Sequence, residues 1–147
     1  CQHGEDECQG NLVETCFINL VSFDQDKFMD FIITYEADLE KSSKNPYSTA
    51  QTLLSTGNYA VTWAQMDSCL TSTQGNTWEH QMAVWTNAAN HQYTPWITLN
   101  GKHTNTIQNE CSASTLECTC AQYSGTNSCC KKFAEEPMDE VCWKDSN

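Results

Sequence analysis

Cysteine is the residue type with which this chain could most readily do chemistry, because 10 of its 147 residues are cysteines. An ionised thiol, commonly at a helix N-terminus, can attack a disulfide, and a second cysteine nearby then resolves the mixed disulfide. The two closest pairs are poorly placed for this role. Cys118 and Cys120 would point to different sides of a predicted helix, and the adjacent Cys129 and Cys130 would close a strained ring. We therefore expect each of these four to bond elsewhere.

Structural disulfides are the better explanation of the cysteines. Their number is even, and cysteine usage this high is typical of oxidising or secretory-route compartments. The sequence does not choose among the possible pairings, although Cys69 is a candidate partner for one of the first three cysteines. The structural candidates are Cys1, Cys8, Cys16, Cys69, Cys111, Cys118, Cys120, Cys129, Cys130 and Cys142.

Metal, nucleic-acid and membrane binding are disfavoured. A structural zinc site needs about four ligands in short-spaced pairs, and Cys1, His3 and Cys8 do not supply that pattern. With 7 Lys and Arg against 19 Asp and Glu, the net charge is −12, which disfavours nucleic acids and anionic membranes as partners. No apolar run approaches the roughly 20 residues of a membrane helix. We expect no metal, no cofactor, no nucleic acid and no membrane insertion.

Helices must position most of these cysteines, because apolar side chains recur at the spacing of a helix face in several stretches. These stretches cover residues 12–21, 28–39, 59–70, 78–89 and 116–123, and a further short helix is expected to end near Gly57. A polar residue followed three positions later by Gln or Glu predicts a helix start. Such starts are predicted at Ser22, Ser48, Asn76 and Ser114.

A change of pattern after His91 predicts one β-hairpin over residues 95–106. Residues 95–99 are rich in strand-forming types, Asn100-Gly101 favours a tight turn with two positive φ angles, and residues 102–106 would return. A hairpin alone is marginally stable in water and leaves backbone groups unpaired. We therefore expect either a covering helix or strands from elsewhere to complete it.

The first sixteen residues follow the pattern CQHG-x2-EC-x2-N-x4-C and resemble the signature of the gamma-interferon-inducible lysosomal thiol reductase family. The matching positions are Cys1, Gln2, His3, Gly4, Glu7, Cys8, Asn11 and Cys16. Residues 93–102 also resemble the strand that follows a cis-proline in that family. Cys120, Tyr123 and Cys129 are similar to its C-terminal helix region.

The resemblance implies an α/β, thioredoxin-like fold with a helical insertion, of which this chain would be mostly α-helical plus one β-hairpin. It implies a partial domain over residues 1–126 and a cysteine-containing tail over 127–147. Within the domain the expected parts are a signature loop at 1–16, the helical insertion at 11–90, the hairpin at 95–106 and a C-terminal helix at 114–125.

The resemblance further implies a thiol–disulfide oxidoreductase that reduces protein disulfides in an acidic lumen. The family's catalytic pair is a C-x-x-C, a spacing that no two cysteines of this sequence have. We therefore expect no catalytic residue in this chain, and expect the C-x-x-C to lie in a missing N-terminal half or in a second chain that completes the sheet. Thr94 and Pro95 would contact a disulfide-containing protein substrate. The expected location is the secretory route, either the lysosomal lumen or the extracellular space.

Two other hypotheses remain open at this point. The chain could be a non-catalytic relative that serves as a scaffold or assembly subunit, which the missing C-x-x-C and the extra tail cysteines favour. It could also be an unrelated helical, disulfide-stabilised binding module, which predicts a hairpin covered by helix. Whether the activity expected from the family belongs to this chain is therefore undecided by sequence.

Overall fold

The computed structural model describes residues 1, 3–42, 45–125 and 130. Within these residues the chain forms seven α-helices and divides into two compact units, the first over residues 1–90 and the second beginning at His91. The helices are α1 (Glu5–Leu20), α2 (Gln25–Ser42), α3 (Pro46–Thr56), α4 (Trp63–Thr71), α5 (Thr73–Ala88), α6 (Asn105–Ala113) and α7 (Thr115–Gln122). None of the helices in the described residues is long and apolar enough to cross a bilayer.

The predicted β-hairpin, and with it the α/β fold class, is wrong for the described residues, which contain helices and no strand. Asn100 and Gly101 do adopt positive φ angles of 51° and 74°. The pairing they initiate stops at one isolated antiparallel bridge between Leu99 and Lys102. The chain then enters α6, because Thr104 caps that helix by accepting a hydrogen bond from the Ile107 N–H. The residues predicted to return as a strand are therefore used to begin a helix.

Helix starts follow capping chemistry, but mostly at residues other than those predicted. Asn45 caps α3 and is followed by Pro46 in the first turn, Thr62 and Gln65 form a capping box on α4, and Ser72 caps α5. Such side chains satisfy backbone N–H groups that lack a partner within the helix.

The predicted caps at Ser22, Ser48 and Asn76 are therefore wrong. Ser22 has a positive φ of 56° in the turn before α2, and the Asp24 carboxylate accepts from the Lys27 N–H instead. The prediction at Ser114 is confirmed, since its hydroxyl accepts from the Glu117 N–H at the start of α7. The signature segment, expected as a loop, is helical from Glu5 onward.

The core of the first unit is built around α1, which packs against α2, α3, α4 and α5. Phe17 stacks on Phe31 with 3.9 Å between ring centroids, and Phe31 in turn stacks on Tyr35. Tyr59 meets both phenylalanine rings edge-on. The buried cluster consists of Val13, Cys16, Phe17, Val21, Phe31, Tyr35, Ala50, Leu53, Leu54, Val61, Met66 and Cys69.

A disulfide between Cys16 and Cys69 lies inside this core and joins α1 to α4 across 53 positions of sequence. In the chain-entropy picture a closed loop of that length stabilises the folded state by about 4 kcal/mol. The bridge also explains Gly75 at the start of α5. A Cβ there would lie 2.5 Å from the Cys69 carbonyl oxygen and 3.3 Å from the Cys16 Sγ, so only glycine allows α5 to approach the bridge this closely.

The described part of the second unit consists of residues 91–104, followed by α6 and α7, which pack against each other. A disulfide between Cys111 and Cys118 joins these two helices, and a second one links Cys120 to Cys130. Its buried residues, among those described, are Gln108, Cys111 and Cys118. The described buried residues of the second unit are therefore two disulfide-bonded cysteines and a hydrogen-bonded glutamine, whereas those of the first unit include large apolar side chains.

Candidate functional site

The segment 95–99 in the second unit is a short extended stretch in which alternate residues form hydrogen bonds through their backbone groups. The Ile97 N–H donates to Gln108 Oε1 at 2.9 Å, and the Ile97 carbonyl lies 2.8 Å from His103 Nδ1. The Pro95 carbonyl accepts from Gln108 Nε2 at 3.1 Å. Leu99 exchanges two backbone hydrogen bonds with Lys102. Residues 95, 97 and 99 are therefore satisfied by the second unit itself.

The alternate residues Trp96 and Thr98 make no backbone hydrogen bond with any described residue. Successive residues of an extended chain direct their N–H and C=O groups to opposite sides, so these groups form a separate edge. Thr94 likewise has no such bond within the described residues, and its bond to Pro95 is cis. We call Thr94, Trp96 and Thr98 the open edge. Chemically, such an edge can pair with another extended backbone.

Aromatic rings and an imidazole pack around the open edge. The Trp96 indole stacks on the His103 ring with 3.5 Å between centroids, and Tyr93 meets the indole at 5.0 Å in an edge-on arrangement. Thr94 and Pro95 are both exposed. Their assignment to substrate binding stays a prediction, and the segment that carries them has backbone groups on one side with no hydrogen-bond partner among the described residues.

The signature residues lie in the first unit, where those that the structure describes make structural contacts. Cys1 and Cys8 form a disulfide. The Glu7 carboxylate accepts from the His3 N–H at 2.6 Å and lies 3.3 Å from His3 Nδ1. Gly4 precedes α1 with a φ of 107°, a conformation that favours glycine. These contacts fix the start of α1.

The three remaining signature positions are Cys16, Asn11 and Gln2. Cys16 is fully buried in its disulfide with Cys69, so it is a core residue. Asn11 lies on an exposed turn of α1 beside a cleft that Glu36 and Pro46 also line. Gln2 lies outside the described residues.

The eight described cysteines are all paired, in the four disulfides given above. Cys129 and Cys142 lie outside the described residues, as does the tail over 131–147. Among the described residues, no group of three or more His, Cys, Asp or Glu side chains could hold a metal ion. The expectation that this chain holds no catalytic cysteine stays a prediction, because an oxidised catalytic pair would also form a disulfide.

A group of three glutamates connects α1, α2 and α5 at the edge of the core. Burial, a hydrogen bond with Glu36 and the negative charges of Glu36 and Glu79 together raise the pKa of Glu14 to about 8. Glu79 accepts a hydrogen bond of 2.5 Å from the buried Thr15 hydroxyl. Burial and the negative charges of Glu14 and Glu36 raise the pKa of Tyr35, whose hydroxyl donates to the Pro46 carbonyl. Glu14 therefore keeps its proton up to about pH 8 and donates it in a hydrogen bond to Glu36.

Two of these features, the hydrogen bonds of Gln108 and the raised pKa of Glu14, were not predicted from the sequence. Gln108 falls just beyond a segment predicted as strand, and no pattern of residue types marks one glutamine as a partner for the backbone. Glu14 gave a weak signal, because it lies four residues after the buried Gly10 and three before the buried Phe17. That spacing places a carboxyl on the buried face of α1.

Comparison with known proteins places the chain among one group of relatives. Residues 1–53 match the family model described as gamma interferon inducible lysosomal thiol reductase. A gamma-interferon-inducible lysosomal thiol reductase of Carassius auratus is 37% identical over 127 residues, which cover 85% of this chain and 47% of the relative. The protein of that name from Mus musculus is 28% identical over 148 residues, covering 98% of this chain and 54% of the relative. The chain therefore spans about half the length of the curated relatives it matches.

Proposed function

Because the chain belongs to the gamma-interferon-inducible lysosomal thiol reductase family, we propose that it forms part of a thiol–disulfide oxidoreductase acting on protein disulfides. In such a reaction a dithiol attacks the substrate disulfide, passes through a mixed disulfide and ends oxidised, while the substrate gains two thiols. No two cysteines of this sequence have the C-x-x-C spacing of the family's catalytic pair. We assign the dithiol to a C-x-x-C elsewhere in the complete polypeptide or in a second chain.

The contribution of this chain is the peptide-binding surface of the enzyme. The segment at Thr94 and Pro95 supports this most directly, because both residues are exposed and Thr94 makes no backbone hydrogen bond with any described residue. An extended segment of a substrate would pair with the backbone there, a mode that tolerates many side chains. Such tolerance suits an enzyme whose substrates share a disulfide and little else.

An acidic lumen is the compartment that we propose. The relatives are named as lysosomal, and four described disulfides are consistent with the secretory route.

The test compares the 147-residue chain with the polypeptide encoded by the complete transcript. Each is assayed for reduction of a fluorogenic peptide disulfide at pH 4.5 and pH 7, with a dithiol to regenerate the enzyme. We expect the transcript to encode a C-x-x-C, its product to turn over the substrate, and the 147-residue chain to be inactive. Turnover by the chain alone would place the reacting cysteines within it and refute the proposed division of roles.

A second candidate function is a non-catalytic scaffold, which the absence of a C-x-x-C from this sequence favours. The same experiment separates the two. A transcript without a C-x-x-C, together with no turnover in the presence of any co-purifying chain, would support the scaffold and contradict the reductase.

A further inference from the structure

We propose that the disulfide between Cys1 and Cys8 is a modification site, at which a small thiol with a positive charge exchanges with the protein. The bridge is accessible, lies apart from the buried core and has acidic side chains beside it. The site does not depend on the proposed function, because it lies in the first unit and its reagent is a small molecule instead of a peptide.

The Cys1–Cys8 bridge is the most accessible of the disulfides among the described residues. Cys1 and Cys8 are both exposed. The bridges that contain Cys16 and Cys111 are buried at both ends, and the bridge of Cys120 is half-buried at both ends. A thiolate must reach a disulfide sulfur before it can react, so access selects the first bridge.

Opening of this bridge leaves the buried core in place. The loop that it closes spans 7 positions and contains the contact between His3 and Glu7, together with Gly4 before α1. The first buried residue of α1 is Gly10, which follows the loop. A chemical change at the bridge therefore affects the start of α1 alone, so the protein can be modified and restored without unfolding.

The charge beside the bridge favours a cationic reagent. The first turn of α1 contains Glu5, Asp6 and Glu7, and α1 has no Lys or Arg. His3, the only basic side chain of residues 1–8, contacts Glu7, and Glu5 and Asp6 are exposed. Their carboxylates attract an ammonium group and repel another carboxylate. A thiol that carries an ammonium group should therefore react faster than a neutral or an anionic one.

The exchange takes place in two balanced steps. The thiolate of the small molecule attacks one sulfur of the bridge, the bond between Cys1 and Cys8 breaks as the new S–S bond forms, and the released sulfur takes up the proton that the small thiol lost. A second molecule of the thiol then attacks the mixed disulfide in the same way. Both cysteines are now reduced, and the small thiol is oxidised to its own disulfide.

The experiment measures which bridge reacts first, in the 147-residue chain and in the polypeptide encoded by the complete transcript. Each is treated at pH 7 with cysteamine, 2-mercaptoethanol or 3-mercaptopropionate, which are a cationic, a neutral and an anionic thiol. The rate for each thiol is divided by its rate with a neutral reference disulfide. Samples are quenched and alkylated, and peptide mass spectrometry locates the adducts and the free thiols.

Two double variants test the origin of the charge preference. Glu5→Gln with Asp6→Asn removes two carboxylates beside the bridge. The matched control, Asp26→Asn with Asp30→Asn, removes two exposed carboxylates near the start of α2. That end of α2 lies away from the bridge, because Asp6 lines a cleft together with Leu39 near the other end of the helix.

We expect Cys1 and Cys8 to react before the cysteines of every other described bridge, and at least about tenfold faster than those of the buried bridges, which react only after local opening. The normalised rate should fall about threefold from the cationic to the neutral thiol and again to the anionic thiol. Glu5→Gln with Asp6→Asn should remove most of this difference, and the control variant should keep it.

Two results would overturn the modification site: earlier reaction of another described bridge, or a Cys1–Cys8 bridge that does not react in the complete polypeptide. Equal normalised rates for the three thiols would overturn the preference for a cation. None of these readouts involves turnover of a peptide disulfide, so a failure here is distinct from a failure of the proposed function.

Discussion

The two units achieve order by different physical means. The first buries twelve residues in a single cluster that includes the stacked rings of Phe17, Phe31 and Tyr35. The described part of the second buries Gln108, Cys111 and Cys118. Burial of an aromatic side chain is worth a few kcal/mol, whereas the residues buried in the described part of the second unit are two disulfide-bonded cysteines and one glutamine. The first unit can therefore lose a polar contact and remain folded, while the second depends on particular bonds.

This difference is consistent with the division of roles that we propose. A surface that pairs with extended peptides must leave backbone groups open, and an apolar core provides no means of doing so at an edge. Gln108 bonds to one side of the segment 95–99, and on the other side Trp96 and Thr98 make no backbone hydrogen bond with any described residue. The signature residues of the first unit fix α1, on which the buried cluster is built.

The largest effect that would test the comparison is expected at Phe17 in the first unit. Phe17→Ala removes a fully buried ring that contacts Phe31 and Tyr59, so we expect a loss of about 3–5 kcal/mol in the free energy of unfolding. Phe23→Ala is the matched control, because that ring is 47% exposed. Urea unfolding followed by circular dichroism measures both. Similar losses for the two variants would mean that the aromatic cluster does not dominate the first unit.

The next effect is a dependence of stability on pH that belongs to Glu14. Its pKa of about 8 in the folded chain lies above the ordinary value of 4.5, so the folded state binds the proton more tightly. The resulting stabilisation is complete below about pH 4.5 and is lost as the pH rises to 8. At about 1.4 kcal/mol per pKa unit, and allowing for partial access of solvent, we expect a fall of roughly 2–4 kcal/mol.

Glu14→Gln tests the origin of this dependence, because glutamine can donate to Glu36 as the protonated acid does. The variant should be more stable than the unmodified chain at pH 8 and show a flatter pH profile in urea unfolding. Glu40→Gln removes an exposed carboxylate from α2 and should leave the slope unchanged. An equal flattening of the pH profile by both variants would assign the effect to the net charge of the chain instead of to the pair of Glu14 and Glu36.

A third effect should be confined to the second unit. The disulfide between Cys111 and Cys118 closes a short loop of 7 positions, for which chain entropy gives about 2–3 kcal/mol. Replacing both cysteines by alanine should release the amides of α6 and α7 to exchange while α1 keeps its protection. The double variant of Cys1 and Cys8, a loop of the same length in the first unit, should leave the core amides protected. Full protection of α6 in the first variant would show that the second unit does not depend on this bridge.

Sequence reasoning succeeded where a local pattern decides the outcome. Apolar spacing identified the helical character of the first unit, and the spacing of Ser114 and Glu117 identified the start of α7. The signature pattern of residues 1–16 correctly predicted the family of the relatives. In each case residues close together in the sequence carry the signal, so their types alone are informative.

Prediction from the sequence failed where two residues compete to cap one helix, and where hydrogen bonds from a residue distant in sequence determine the local structure. Ser22 and Asp24 both suit a helix start, and the turn with positive φ at Ser22 leaves the role to Asp24. Residues 95–99 have the composition of a strand, yet α6 takes up the returning segment and Gln108 takes the place of the second strand. Composition does not reveal that a glutamine eleven positions later supplies the hydrogen bonds.

The smallest effect compares a helix cap in each unit. Thr62 and Ser114 both accept from a backbone N–H in the first turn of a helix, so Thr62→Ala and Ser114→Ala should each cost about 1 kcal/mol. The consequence should differ, because α4 contributes the buried Met66 and Cys69 to the core, whereas α7 contributes only Cys118. We expect Thr62→Ala to raise exchange in the first turn of α4 alone, and Ser114→Ala to raise it throughout α7. Ser114→Thr, which keeps a hydroxyl, should restore protection. Exchange confined to the first turn of α7 would show that its packing against α6 is as strong as the packing of α4 in the first unit.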